Sequence, residues 1–168
     1  MTNLYIRAQQ EWGNYCKSFN ADLVVTLNTQ RDNPTYDSLS KLISSLFYEL
    51  ECIEYGKNKR DLYGKVCRIE RIVAIEEANK THAHVLIRQY GSKTSEEIIE
   101  SIVLVWHELN KTKVVSSNSY LVSLEDYVIR DNDAVSTYVT KDVAKQLQKG
   151  KDVIDLKSSF ICKHSNKQ

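Results

Sequence analysis

Proline occurs once in this chain, and no apolar run approaches the roughly 18 residues that a membrane-spanning helix needs. The single proline, together with 42% hydrophobic residues, argues against a disordered chain and against a proline-rich linker. The polar N-terminus lacks the pattern of a signal peptide. We therefore expect a soluble, intracellular protein folded as a single domain over residues 1–168.

Cysteine is also sparse, and no Cys-x-x-Cys pair occurs. Four dispersed cysteines favour reduced thiols in a reducing compartment over a disulfide framework or a zinc site. The four are Cys16, Cys52, Cys67 and Cys162.

Excess charge of one sign is missing too, because the formal net charge is only +1. This value excludes a protein that coats nucleic acid by charge alone. Basic residues nevertheless cluster at Lys57, Lys59 and Arg60. From Lys141 to the end of the sequence there are seven lysines and only three acidic residues. We interpret Lys57, Arg60 and Lys145 as candidate contacts to phosphate groups; the alternative is an ordinary solvated face.

Hydrophobic periodicity predicts an α+β fold, a largely antiparallel sheet with packed helices, in the order α-β-α-β-β-α-β-α. The tail after Gly150 is expected to form a C-terminal extension that packs on the body. The predicted elements are a helix over the first twenty residues, a strand over Asp22–Asn28, a helix from Leu39 with Asp37 or Ser38 as N-cap, strands over Lys65–Glu77 and Thr81–Arg88, a helix opened by the capping box Thr94–Glu97, a strand over Tyr120–Ile129, and a helix that carries Tyr138.

His82 and His84 flank Ala83 in one predicted strand, and alternation directs both imidazoles to the same face. Neutral imidazoles ligate divalent metals, and Glu76 or Glu77 across the predicted turn could supply a carboxylate. Only one of the two glutamates can face the histidines. This set, with open positions for water and phosphate oxygens, suits Mg²⁺ or Mn²⁺. The alternatives are two plain surface histidines and an exposed acidic turn.

Tyr138 and Lys141 are three residues apart and share one face of the predicted helix. A phenol is a weak nucleophile unless a metal, a lysine or a base stabilises its anion, and Lys141 is placed to do so. The alternative is a packing tyrosine beside the apolar stripe, since the chain has ten tyrosines.

Three segments in this order resemble the motifs of the HUH endonucleases, and among these the single-tyrosine replication initiators of rolling-circle plasmids, phages and small single-stranded DNA viruses. Val24–Asn28 is similar to the first motif, an apolar strand that ends in Thr-Leu-Asn. His82-Ala83-His84 matches the His-hydrophobic-His motif, and Tyr138–Lys141 matches Tyr-x-x-Lys. The resemblance spans residues 22 to 145, nearly the whole chain.

This resemblance implies a ferredoxin-like fold with an antiparallel sheet of about five strands and the metal ligands on central strands. It also implies an acidic ligand before the His-x-His, which we assign to Glu77, so that Glu77, His82 and His84 would hold Mn²⁺ or Mg²⁺. The residues expected to contact DNA are Asn28, Lys145, Lys57 and Arg60.

By the same resemblance, Tyr138 attacks a phosphate of single-stranded DNA at a replication origin, assisted by Lys141. The products are a 5′-phosphotyrosine and a free 3′-OH for a polymerase. Because no Gly-x-x-x-x-Gly-Lys-Ser/Thr occurs, a complete chain would depend on a host helicase as well as a polymerase. The expected location is the cytoplasm of a bacterial or archaeal cell, or the host nucleus if the replicon is a eukaryotic virus.

Three other functions compete with this interpretation. Conjugative relaxases carry the tyrosine before the histidines, which disfavours them here. Single-tyrosine HUH transposases share the order found here but tend to have glutamine at the position of Lys141. A non-catalytic nucleic-acid-binding module would need a denser pattern of sheet aromatics. If Tyr138 is not the nucleophile, Tyr127 and Tyr120 are the next candidates.

Overall fold

The computed structural model describes residues 3–30, 34–63, 66–77, 80–111, 121–123 and 128–162. Within these ranges no helix combines the length and the apolar character that crossing a membrane requires. The four cysteines, all of which are described, form no disulfide. The elements are α1 (Asn3–Phe19), β1 (Leu23–Leu27), α2 (Tyr36–Tyr55), α3 (Lys57–Leu62), β2 (Arg71–Glu77), β3 (Thr81–Ile87), α4 (Ser95–Leu109), β4 (Val122–Ser123), α5 (Asn132–Thr140) and α6 (Val143–Leu147).

The sheet consists of three long antiparallel strands in the order β2-β3-β1, and the two-residue β4 continues it beside β1. The α+β class with packed helices is therefore confirmed, whereas a sheet of about five strands is not found in the described ranges. The strand expected over residues 120–129 is described only in part. There it forms β4 and a single bridge between Val128 and Leu23, while residues 120 and 124–127, including Tyr120 and Tyr127, lie outside the described residues.

Helices cover both faces of the sheet, which explains why β2 and β3 are buried at nearly every residue. Val73 and Val85 point toward the core formed with α2 and α4. Ile72 and Leu86, on the other face, pack against α1, α5 and α6. Because side chains alternate along a strand, the even-numbered residues of β2 and β3 all lie on the face of α1, α5 and α6. We call this the α5 face.

The predicted N-cap is confirmed for one helix, whereas in another the N-cap is a residue two or three positions earlier than predicted. Thr94 and Glu97 form the expected capping box at α4, with Glu97 Oε2 accepting from Thr94 N at 2.7 Å. At α2 the N-cap is Thr35, whose Oγ1 accepts from Ser38 N at 3.3 Å, rather than Asp37 or Ser38. The difference is small because each of these side chains can accept a backbone N–H.

Two other boundaries differ from expectation. The strand expected from residue 65 begins at Arg71, because residues 66–70 form a turn and coil. The extra helix α3 precedes it, with an N-terminus that follows Gly56 at a φ of 80°. This left-handed backbone value favours glycine and separates α3 from the long α2.

The C-terminal segment 151–162 covers the outer edge of β2. Ile75 N donates to Val153 O at 2.7 Å, and Val73 N donates to the hydroxyl of Ser159 at 2.9 Å. An uncovered edge strand presents unpaired N–H groups to any other chain. The segment therefore satisfies β2 without forming a regular strand.

Replacing Ser159 with alanine is expected to lower the free energy of unfolding by about 1–2 kcal/mol, because Val73 N loses its acceptor in a partly buried position. Urea unfolding followed by circular dichroism measures this change. Ser45→Ala is the matched control, since its hydroxyl only donates to Lys41 O on the surface of α2. Equal unfolding free energies for the two variants would contradict the edge-covering role.

Candidate functional site

The β2–β3 hairpin brings one carboxylate and two imidazoles together on the α5 face. Its register places Glu76 directly opposite His82, and Ala74 directly opposite His84. Directly opposed residues share a face, so all three polar side chains point the same way. Their ligand atoms lie within 4.8 Å of one another. Glu76, His82 and His84 thus lie close enough to hold a metal ion.

The prediction that Glu77 is the acidic residue beside the histidines is wrong. Glu77 lies opposite Thr81, so it faces away from the histidines, and its carboxylate forms an ion pair with Lys151 Nζ at 3.0 Å. In a hairpin that pairs Glu76 with His82, an acid that faces His82 must be separated from it by an even number of residues. Glu77, at an odd separation, cannot meet this condition.

The group is buried and its polar atoms are incompletely paired. Glu76 is 2% exposed and His84 1%, while His82 reaches the surface at 20%. Each imidazole Nε2 lies 3.5 Å from a carboxylate oxygen of Glu76. Among the described residues, Glu76 Oε1 and His84 Nε2 have no hydrogen-bond partner. Buried atoms of this kind are costly, and a cation between them would satisfy both.

Each histidine has an outer partner on its second ring nitrogen. His82 Nδ1 lies 2.9 Å from Lys80 O, and since a carbonyl only accepts, Nδ1 carries the proton. In the neutral ring this leaves the Nε2 lone pair directed at Glu76. His84 Nδ1 lies 2.9 Å from the hydroxyl of Thr26. Such partners are typical of metal-ligating histidines.

The electrostatics of the group favour an ionised carboxylate. Burial acts to raise the pKa of Glu76, but the polar contact with His84 and the electrostatic interactions with His84, Lys141 and His82 outweigh it, so the pKa lies below its ordinary value. Glu76 is consequently ionised near neutral pH, which is the state that a metal ligand requires.

Tyr138 lies beside this group near the end of α5. The helix is capped by Asp131, whose side chain accepts from two backbone N–H groups, and it is held to the sheet through buried Val139. The Tyr138 ring centroid is 4.9 Å from that of His84. Tyr138 is 50% exposed, so the residue stands between the buried group and solvent.

Lys141 connects the tyrosine to the carboxylate. Its Nζ lies 3.9 Å from the Tyr138 ring centroid and 3.8 Å from Glu76 Oε2. Lys141 is the C-cap of α5, and its carbonyl accepts from the side chain of Gln9 on α1 at 3.2 Å. The lysine backbone is thereby tied to the first helix.

Two of the four expected DNA-binding residues lie on or next to elements that adjoin this site, since β1 pairs with β3 and α6 packs on the α5 face. Asn28 follows β1 and extends the β1–β3 register by one position beyond the Leu27–Ala83 pair, toward His82. Its carbonyl accepts from Trp106 Nε1 at 2.8 Å. Lys145 is exposed on α6, which follows α5 almost directly.

The structure does not bring Lys57 and Arg60 to the site. Both lie on α3, where Arg60 Nε contacts buried Glu51 at 3.1 Å. Glu51 also pairs with Arg71, the first residue of β2. At about 3.3 Å per residue, this end of the strand is roughly 16 Å from Glu76. The Arg60 guanidinium is thus occupied by an internal ion pair.

Sequence reasoning missed the contact of Thr26 with His84 and did not decide in favour of Glu76. For Glu76 the available signal was its even separation from His82, which places both side chains on the same face once the hairpin register is known. For Thr26 the signal was its place in the alternating strand β1, which becomes informative only once β1 is known to pair with β3.

Comparison of the chain with protein-family models, with curated proteins and with solved structures gave no significant match. The resemblance to the HUH endonucleases therefore rests on three short sequence motifs alone.

Proposed function

We propose that the protein is a metal-dependent nuclease that nicks and joins single-stranded DNA through Tyr138, as single-tyrosine HUH initiators of rolling-circle replication do. One observation carries the proposal. A half-exposed phenol lies 4.9 Å from the ring of His84, which belongs to a buried group of metal-ligand type. The substrate would be single-stranded DNA at a replication origin, with a host helicase and polymerase as partners.

The residues fit a divalent cation such as Mn²⁺ or Mg²⁺. Glu76, His82 and His84 would hold it, since two imidazole nitrogens and one carboxylate oxygen suit such ions. The unpaired buried Glu76 Oε1 and His84 Nε2 support this fit. When bound, the ion supplies Lewis-acid stabilisation to an oxygen of the phosphodiester.

Tyr138 would act as the nucleophile. Its phenolic oxygen forms a bond to phosphorus as the bond from phosphorus to the 3′ oxygen breaks, the phenol proton passes to solvent, and the 3′ oxygen takes up a proton. The product is a 5′-phosphotyrosine with a free 3′-OH. Attack by a 3′-OH on the phosphotyrosine reverses the step and joins the ends. The 50% exposure of Tyr138 leaves room for a strand to approach.

Lys141 would stabilise the negative charge that develops during this step. Its Nζ is 3.9 Å from the Tyr138 ring centroid, near enough for a modest side-chain movement to bring it to the phenolate or the phosphate. The contact with Glu76 at 3.8 Å holds the ammonium on the side of the metal ligands.

Replacing Lys141 with glutamine is expected to lower the rate of adduct formation by about 10²-fold, because the side chain keeps most of its length but loses its charge. Quantified denaturing gels of the covalent protein–DNA product measure the rate. Lys41→Gln is the matched control, since it removes an exposed lysine of α2, on the other face of the sheet. A Lys141→Gln enzyme as fast as the control would show that the charge has no role.

The test of the proposed function is a search for the covalent intermediate. The protein is incubated with a pool of single-stranded oligonucleotides and Mn²⁺, digested with nuclease and trypsin, and analysed by mass spectrometry. Cleavage after Arg130 and Lys141 releases peptide 131–141, in which Tyr138 is the single tyrosine. We expect a nucleotide on this peptide. No adduct, or an adduct on another peptide, would refute the assignment.

A further inference from the structure

Thr26 is the residue of β1 that contacts the metal-ligand group. The register places it directly opposite His84, and its hydroxyl lies 2.9 Å from His84 Nδ1. His84 is only 1% exposed, so water has little access to its ring. The threonine belongs to the Thr-Leu-Asn segment to which the proposed reaction gives no chemical role.

The location of one proton decides whether His84 can be a ligand. A neutral imidazole carries one N–H, and a hydroxyl can either accept from it or donate to the bare nitrogen. With the proton on Nδ1, Thr26 accepts it and the Nε2 lone pair faces Glu76. With the proton on Nε2, the N–H points at Glu76 Oε1, 3.5 Å away, and the ring cannot bind a cation there.

We propose that Thr26 is a positioning residue that accepts the Nδ1–H of His84 and thereby presents the Nε2 lone pair to Glu76 and His82. The assignment of this pair to a metal rests on the proposed function. His82 has the same arrangement, because Lys80 O accepts from its Nδ1 at 2.9 Å. The two ligand histidines thus use different acceptors, a side-chain hydroxyl and a backbone carbonyl, for one purpose.

Ring orientation depends on the same contact. The His84 ring lies between the Thr26 hydroxyl and two other rings, with centroids 4.9 Å from His82 and 4.9 Å from Tyr138. If the ring turned away from Thr26, Nε2 would leave Glu76 and the contact with Tyr138 would change. Thr26 therefore positions the ligand and, through it, the neighbour of the phenol.

The first experiment measures Mn²⁺ affinity by electron paramagnetic resonance for the wild type, Thr26→Val and Thr26→Ser. Valine keeps the shape of threonine without the acceptor, and serine keeps the hydroxyl. We expect Thr26→Val to bind Mn²⁺ about 10–100-fold more weakly, and Thr26→Ser to bind close to the wild type. Circular dichroism checks that each variant is folded. Serine as weak as valine would assign the effect to packing and overturn the proposal.

The second experiment reads the tautomer without metal, from the ¹⁵N signals of the His84 ring in mildly alkaline buffer. We expect Nδ1 to carry the proton in the wild type and in Thr26→Ser, and proton occupancy to move toward Nε2 in Thr26→Val. An unchanged tautomer in the valine variant would overturn the proposal, whatever the metal measurement shows.

These readouts separate the two hypotheses. If no phosphotyrosine forms but the tautomer follows Thr26, the nuclease function fails and the positioning role stands. If the adduct forms at Tyr138 but the valine variant keeps both its tautomer and its Mn²⁺ affinity, the nuclease function stands and the role of Thr26 fails.

Discussion

Tyr138→Phe is expected to abolish covalent attachment of single-stranded DNA, with a loss of at least about 10³-fold, because the variant has no nucleophilic oxygen. Fold and Mn²⁺ binding should persist. The substitution keeps the ring that contacts His84, and at 50% exposure the lost hydroxyl costs little stability. Adduct formation on denaturing gels measures the effect, and Mn²⁺ titration verifies the metal group.

Tyr63→Phe serves as the matched control for this experiment. Tyr63 is 61% exposed and follows α3, which contacts the Arg71 end of β2 through Arg60 and Glu51. Its hydroxyl should be dispensable. If Tyr138→Phe forms as much adduct as Tyr63→Phe, another residue is the nucleophile and the proposed mechanism fails.

Glu76→Gln is expected to weaken Mn²⁺ binding by more than about 100-fold, and to stop adduct formation with it. Loss of an outer partner of a metal ligand alone costs about 10–100-fold, and Glu76 would contact the ion itself. Glutamine has almost the same shape, so the buried site stays filled while its one carboxylate charge is lost. Titration followed by electron paramagnetic resonance gives the affinity.

The neighbouring glutamate provides a control one residue away. Glu77→Gln should bind Mn²⁺ like the wild type and lose only the surface contact with Lys151. The pair of variants therefore tests the hairpin register as well as the ligand. A weaker affinity in Glu77→Gln with no change in Glu76→Gln would reverse the assignment of the third ligand.

Local chemistry determines much of what the sequence predicts correctly. The alternation of strand side chains places His82 and His84 on one face whatever the strand pairs with. The Thr94–Glu97 capping box likewise depends on residues three apart, so α4 begins where the sequence indicates. Such features need no knowledge of the rest of the chain.

The hairpin register is different, because it depends on which residues close the turn. Pairing of Glu77 with Thr81 leaves residues 78–80 as the connection and sets Glu76 opposite His82. A slip of one residue would turn every side chain of β2 to the other face. The sequence allows both choices, so it does not by itself distinguish Glu76 from Glu77 as the carboxylate that faces the histidines.

Charge clusters also look alike in sequence whether they are exposed or neutralised internally. Arg60 belongs to a basic run, yet the fold places buried Glu51 beside it, so the cluster is partly a stabilising ion-pair network. Only the packing of α3 against α2 distinguishes this case from an exposed phosphate-binding surface.

The sequence by itself thus determined the residue types of the site, the shared face of the two histidines and the α+β class. Tertiary structure alone decided that Thr26, Glu76 and Tyr138, which belong to three separate elements, lie around His84. The physical reason is that local periodicity orients a side chain relative to its own strand or helix. The order of the strands and the position of α5 on the sheet depend instead on burying the hydrophobic side chains of both faces of the sheet at the same time.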